Sequence, residues 1–177
     1  MQVNSGNNKG TLLFVPEGEN IRPTSDKVKQ AIFNIISFSV SDGNVLDLFA
    51  GSGSLGIEAL SRGFKFCDFS DLDTACVKKN TEKCRLNDKC EIHTCDFKTF
   101  ISCAKRKYSL VFLDPPYHKE LIPKALTLLC EKNLLETGAV IVMESDYNET
   151  YDIPDEIKVT KEKRYGRIKI QIGVYEK

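Results

Sequence analysis

The chain has 177 residues with 25 basic and 25 acidic side chains, so its formal net charge is zero, and it is 41% hydrophobic and 28% charged. That length makes one domain able to bury roughly 70% of its unfolded surface, and the composition is that of a soluble globular protein. No apolar run approaches the roughly 18 residues of a membrane span, and the polar N-terminus does not read as a signal peptide.

Seven cysteines form an odd set without a C-x-x-C pair, which points to reduced thiols in a cytoplasmic setting. The spacing of Cys84, Cys90, Cys95 and Cys103 fits no standard zinc site, so no metal is expected. Zero net charge counts mildly against a nucleic-acid substrate. Distribution matters more: Lys158, Lys161, Lys163, Arg164, Arg167 and Lys169 crowd one stretch opposed by Glu162. Such a cluster either contacts phosphates or is a solvated strand face.

In chain order, residues 1 to 20 carry Gly6, Gly10, Pro16 and Gly18 among Asn and Lys, and read as a loose N-terminal arm with one apolar stretch, Leu12 to Val15. The domain proper is expected over residues 21 to 177. Thr24 or Ser25 can cap a helix on which Val28, Ala31, Ile32, Ile35 and Ile36 form an apolar stripe. Ser41 to Asn44 is a turn into a first strand, Val45 to Phe49. A glycine-rich turn follows, then a helical pattern through Ile57, Ala59 and Leu60. A second strand runs into Asp71, and a polar helix covers about Thr74 to Leu86. Cys90 to Cys95 forms a third strand, and Phe97 to Lys105 a helix. Leu110 to Leu113 forms a fourth strand, Leu121 to Cys130 a helix, and Ala139 to Met143 a fifth strand. Ile157 to Arg164 and Arg167 to Tyr175 alternate with period two around Tyr165-Gly166, the pattern of an antiparallel hairpin. Repeated strand–helix units closed by a hairpin predict an α/β, Rossmann-like domain with a seven-stranded, mostly parallel sheet.

The carboxyl edge of such a sheet is where ligands bind. There the turn Gly51-Ser-Gly53-Ser-Leu-Gly56 lets backbone approach a ligand closely. Asp47, four residues before Gly51, stands where a dinucleotide-binding strand is usually apolar, and a carboxylate there suits an ammonium group. Asp71 or Asp73, some 20 residues after the turn, can accept both hydroxyls of a ribose, and spacing leaves the choice open. Asp96, at the end of the third strand, can accept from an adenine amino group or simply cap the next helix. Asp114-Pro115-Pro116-Tyr117 ends the fourth strand. Together these residues resemble the amino methyltransferases that use S-adenosylmethionine.

The tetrapeptide explains itself chemically. An exocyclic amine on a nucleobase is a poor nucleophile because its lone pair is delocalised into the ring. Acceptors that hold both N–H bonds pull the nitrogen toward a pyramidal shape and aim its lone pair. Asp114 supplies one acceptor and the Pro115 carbonyl the other, while Pro116 stiffens the loop and Tyr117 stacks on the base. His93, in the third strand, has no visible partner and reads as structural; His118 is a weaker candidate for substrate contact.

Arg22-Pro-Thr-Ser-Asp-Lys-Val-Lys-Gln-Ala-Ile-Phe-Asn34, with Leu46-Asp-Leu-Phe-Ala-Gly-Ser-Gly-Ser-Leu-Gly56, Asp71-Leu-Asp73 and Asp114-Pro-Pro-Tyr117, makes the likeness narrower. The chain resembles the bacterial 16S ribosomal-RNA guanine-N2 methyltransferases. That resemblance implies a class I fold, S-adenosylmethionine as methyl donor with S-adenosylhomocysteine as product, and the N2 amine of a guanine in small-subunit ribosomal RNA as acceptor. It places Asp47, Gly51, Gly53, Asp71 and Asp96 around the donor, Asp114 and Tyr117 on the base, and Arg22 and Thr24 near the mouth. Naked RNA or a small-subunit particle is the expected partner, and a monomer is permitted. Family members carry a more basic, Gly-Gly-containing arm, where this chain has Lys9-Gly-Thr. More of the RNA affinity is therefore expected from Lys163, Arg164 and Arg167.

Three other readings compete. An adenine-N6 methyltransferase shares the tetrapeptide but generally adds a recognition domain. A nicotinamide-dependent oxidoreductase explains the literal G-x-G-x-x-G yet leaves Asp47 and Asp114 without a role. A non-catalytic RNA-binding assembly factor is the third.

Overall fold

A computed structural model describes residues 1–16, 26–36, 42–117 and 119–177. Arg22, Thr24 and Ser25, and with them the expected helix cap, lie outside the described residues, as does His118.

Apolar runs without alternation belong to strands covered on both faces, and they build the centre of the sheet. The strands are β1 (Asn44–Asp47), β2 (Phe66–Asp71), β3 (Cys90–Thr94), β4 (Tyr108–Leu113), β5 (Leu135–Asp146), β6 (Ile157–Tyr165) and β7 (Ile168–Tyr175). They form one seven-stranded sheet in the order β3-β2-β1-β4-β5-β7-β6. β1 to β5 are mutually parallel, and β7 runs antiparallel to both β5 and β6. One reversed strand closing a parallel sheet matches the architecture expected from the sequence.

The helices are α1 (Asp26–Ile36), α2 (Ser54–Ser61), α3 (Ala75–Lys83), α4 (Phe97–Cys103) and α5 (Leu121–Glu131). Alternate strand residues divide the core between the two faces. Val45, Leu110, Phe112, Val140 and Val142 pack with α1 and α2. Leu46, Val111, Leu113, Ile141 and Met143 pack with α4 and α5. Gly56 belongs to this packing rather than to a ligand: a Cβ there would meet the Phe69 ring at 2.3 Å and Cys67 Sγ at 2.7 Å. The missing side chain is what lets α2 lie against β2.

The N-terminal segment is not loose. Gln2 bridges to Leu12, Val3 is fully buried, and Leu13 is buried in the same core as α1. The Asn7 amide donates to the Ser61 carbonyl, and the Asn8 side chain donates to the Cys84 carbonyl. Glycine and asparagine here make a tight turn fastened to α2, so their presence did not mean disorder. On α1 the buried face is Val28, Lys29, Ile32, Phe33 and Ile36, with Ala31 and Ile35 half-buried. The stripe read from apolar residues missed Lys29, whose ammonium lies 3.6 Å from the equally buried Glu58. Burial lowers the Lys29 pKa against the pull of Glu58 and Asp26. β5 extends beyond the expected Ala139–Met143 at both ends because β4 pairs with it as early as Leu135 and β7 as late as Asp146.

Candidate active site

In the strand order, β1 and β4 are neighbours from which the chain winds off in opposite directions. A doubly wound sheet opens a crevice beyond such a pair. Here that crevice is a cleft of about 1150 Å³. Asp47 to Ser52 form its floor, Asp71 to Asp73 and Cys95 to Phe97 one side, and Asp114 to Tyr117 the other.

The glycine turn is held by the next strand. Gly51 adopts φ +52° and its amide donates to Asp71 Oδ2 at 2.8 Å. Asp71 Oδ1 accepts from the Asp73 amide at 3.2 Å. Asp71 thus stands half-buried at the cleft wall. Asp73 is exposed and accepts from the Ala75 amide, the geometry of a helix cap. Gly53 was expected beside the donor, but it is not among the cleft-lining residues. With φ +74° it starts α2, and its α-carbon faces Phe69, Val77 and Ile57. Its conformational freedom serves the turn.

Asp47 is 2% exposed, and its Oδ2 accepts from the Gly56 amide at 3.0 Å. Burial pushes its carboxyl up to about 8, with the charges of Asp114 and Asp71 adding to the rise and the Gly56 amide opposing it. Three carboxyl groups therefore face one small volume, and a cation entering it relieves their repulsion. Asp96 lines the cleft while capping α4: Oδ1 accepts from the Lys98 and Thr99 amides and Oδ2 from the Thr99 hydroxyl. These bonds hold its carboxyl below the usual carboxylate range.

On the opposite wall Asp114 is half-buried, Pro115 buried, Pro116 exposed and Tyr117 half-buried. The Tyr117 hydroxyl donates to Oε1 of Glu144 at 3.1 Å. Glu144 is 3% exposed on β5, so the tetrapeptide is fastened to the neighbouring strand. Sequence reading missed Glu144, because nothing local marks a glutamate inside an apolar strand as a partner. It also missed Asn80. That fully buried amide accepts from the Phe14 N–H at 2.8 Å and donates to the carbonyls of Phe14 and Ser52 at 2.9 and 2.8 Å. It ties the N-terminal segment to the glycine turn and brings Phe14, Val15 and Pro16 to the cleft mouth. A tilted Phe49–Phe97 pair, centroids 5.6 Å apart, supplies an aromatic wall.

The basic residues of the hairpin part company. Arg167 lines the cleft and donates to Asp146 Oδ2 at 3.3 Å. Arg164 lies 3.7 Å over the Tyr147 ring and is not in the cleft. Lys163 faces the solvent, opposite Ile170. A bulge at Thr160 shifts the register, so Lys158, Lys161 and Lys163 all share one face of β6.

His93 has a partner after all: its Nε2 lies 2.9 Å from Oδ1 of buried Asp68, which also accepts from the Tyr108 hydroxyl and Arg106. Asp68, Glu91 and His93 are close enough to share an ion. Arg106 already bridges both carboxylates, which makes the group a charge-compensated network. Cys84, Cys90, Cys95 and Cys103 do not converge among the described residues.

A family model described as Conserved hypothetical protein 95 matches residues 1–174. The chain belongs to that family. It is 38% identical to the Bacillus subtilis protein named "Putative rRNA methyltransferase YlbH", over 100% of this chain and 99% of that protein. It is 36% identical to Ribosomal RNA small subunit methyltransferase D of Haemophilus influenzae, over 93% and 88% of the two chains. Among solved structures, "Putative methyltransferase yhhF" from Escherichia coli superposes with a TM-score of 0.89 at 27% identity, over 99% and 98%. The resemblance read from the sequence is met by relatives with those names, and the fold is the Rossmann-like one of the methyltransferases.

Proposed function

We propose that this protein transfers the methyl group of S-adenosylmethionine to the exocyclic N2 amine of a guanine in small-subunit ribosomal RNA. The observation that carries the reading is the meeting, across one cleft, of the carboxyl groups at Asp47 and Asp71 with the proline-stiffened loop of Asp114 to Tyr117. The ribosomal-RNA methyltransferase names of its relatives support the acceptor class.

The residues present fit a cationic donor. Asp71, and Asp47 once it releases its proton to a bound cation, offer acceptors beside a glycine turn that leaves room for a ligand, since nothing lies within 4 Å of a Cβ built at Gly51. When bound, the donor supplies an electrophilic methyl carbon on a sulfonium. Asp71 would hold the ribose hydroxyls and Asp47 the ammonium end, with Asp96 at the adenine.

At the acceptor, the Asp114 carboxylate and the Pro115 carbonyl take the two N–H bonds of the amine and turn its lone pair toward the methyl carbon. Tyr117, anchored by Glu144, fixes the tilt of the base by stacking. Methyl transfer from the donor's sulfonium would leave positive charge on the amine nitrogen beside Asp114. That carboxylate stabilises it and then accepts the proton. Direct displacement requires no protein nucleophile. Arg167 at the cleft edge and Lys163 and Arg164 beyond it would contact the RNA backbone.

The test is incubation with methyl-labelled donor and either small-subunit particles or deproteinised ribosomal RNA, followed by nucleoside mass spectrometry. N2-methylguanosine is the expected product. Label appearing in N6-methyladenosine, or in DNA, would replace this acceptor with the adenine one.

A further inference from the structure

A second hollow, of about 420 Å³, lies against the outer end of the sheet. Its base is one face of the β6–β7 hairpin. Lys169 pairs with Ser145 and Arg164, and Gln171 pairs with Met143 and Glu162, so these side chains project to the same side. Ile168, Ile170 and Ile172 take the other side and enter the core. Tyr147, Asn148, Thr150 and Tyr151 complete the walls.

Lys169 is the unusual group. It is 7% exposed, yet among the described residues its ammonium makes one hydrogen bond, to the Glu149 carbonyl, and no ion pair. The Tyr151 ring centroid lies 5.3 Å away. An ammonium has three donors, so a buried cation is left facing the hollow with bonding capacity to spare. A buried ammonium with one of its three donors used is under-satisfied, and a ligand acceptor in the hollow completes the set.

The remaining groups narrow the ligand. Gln171 is committed at both ends, accepting from the Tyr151 hydroxyl at 2.7 Å and donating to Glu162 at 2.9 Å. The Glu162 carboxylate in the same hollow repels a phosphate but accepts from N–H donors. Tyr147 is 39% exposed and carries the Arg164 guanidinium 3.7 Å over its ring, a stack on which a flat base can continue. Flat walls with a donor and an acceptor at the edge describe a nucleobase. Guanine carries the O6 acceptor beside the N1–H and N2–H donors on its Watson–Crick edge, so one edge can accept from Lys169 and donate to Glu162. The location agrees. Asp146, the last residue of β5, lines the methylation cleft, and Tyr147, the first residue of the turn that follows, lines the hollow, so the two cavities adjoin at the end of that strand.

We propose that this hollow receives an unpaired nucleobase, a guanine, flanking the one to be methylated, with Lys169 and Glu162 reading its edge beside the Tyr147–Arg164 stack. This rests on the RNA-methylating reading of the neighbouring cleft.

Two arms test it. The first scans an RNA substrate with single abasic replacements on either side of the target. One position is expected to raise KM about tenfold while kcat stays within twofold. Glu162→Gln, an exposed change that leaves the fold intact, and Lys169→Met should raise KM on intact RNA and abolish the effect of that abasic position. Abasic replacements that are all silent, or variants with unchanged KM, overturn the proposal. The second arm needs no methyl transfer. Tyr147 and Tyr151 line the hollow, while Tyr117 lies in the cleft, so the resonances of the first two report it separately. Guanosine 5′-monophosphate is expected to perturb the Tyr147 and Tyr151 resonances, while ribose 5-phosphate leaves them unchanged. Equal responses to both probes would make the hollow a phosphate site and overturn the nucleobase assignment. A positive second arm with no methylated RNA would leave the hollow standing and sink the reading of the cleft.

Discussion

Replacing Asp47 by Asn removes a carboxyl group that the fold can ionise only at a cost. The carboxyl is 2% exposed, its ordinary value is 3.8, and burial with the neighbouring Asp114 and Asp71 raises it to about 8 in the folded chain. Between those values the folded state binds a proton that the unfolded state has released. The stability this group contributes is full below pH 3.8 and is lost as pH rises through about 8, at up to about 1.4 kcal/mol per pH unit. Asn keeps an oxygen for the Gly56 amide and does not titrate. Other carboxyl groups titrate in both proteins and cancel in the difference. Between pH 5.5 and 7.5 the variant should therefore gain about 3 kcal/mol over the parent, read by urea unfolding at closely spaced pH values. For a chain of this size that is roughly a 6–12 °C relative rise in Tm. Donor binding should respond in the opposite sense. The parent's affinity for S-adenosylhomocysteine should tighten toward pH 8 as Asp47 ionises, and the variant's should be weaker and flat. Parallel stability curves for the two proteins across this range would refute the account of a buried, proton-holding Asp47.

Four further outcomes follow from the geometry. Asp114→Ala should lower methyl transfer by at least 10³-fold while leaving S-adenosylhomocysteine affinity within a few-fold, because the lost contacts are to the acceptor amine; calorimetry and single-turnover assays separate the two. Gly56→Ala should destabilise by about 1–3 kcal/mol in thermal or urea unfolding, since the added methyl runs into Phe69 and Cys67. Asn80→Ala should cost about 2–4 kcal/mol by leaving buried backbone groups unsatisfied. It should also weaken donor binding, as the Ser52 carbonyl and the Phe14 segment lose their common tie. Substituting Lys163, Arg164 and Arg167 together by Ala should weaken RNA binding and reduce the magnitude of the log–log salt slope by about 2–3; an unchanged slope across a salt series removes the hairpin from the RNA surface.

Much of this architecture was legible because it is written in local periodicity. Runs such as Leu110-Val-Phe-Leu113 and Val140-Ile-Val142 declare strands buried on both faces, and the alternation around Tyr165-Gly166 declares a hairpin. Asp47, Gly51, Asp71 and Asp114 sit at fixed offsets from strand ends, and the parallel sheet sends every strand end to the same edge, so their convergence follows from chain order. The N-terminal segment shows where this reasoning stops. Gly6 and Asn8 signal a turn, but whether a turn hangs free or packs depends on Ser61 and Cys84, more than 50 residues away.

The sequence by itself determined the strand–helix order, the glycine turn and the set of acidic residues at the sheet's edge, because each depends on neighbours within a few residues. Tertiary structure decided the rest: that Gly53 serves the turn into α2 and Gly56 the packing of α2, that Glu144 anchors Tyr117, and that Asn80 ties the N-terminal segment to the turn. It also decided that Lys169 is buried beside an open hollow. Burial and long-range pairing are properties of the assembled core, and no short window of sequence contains them.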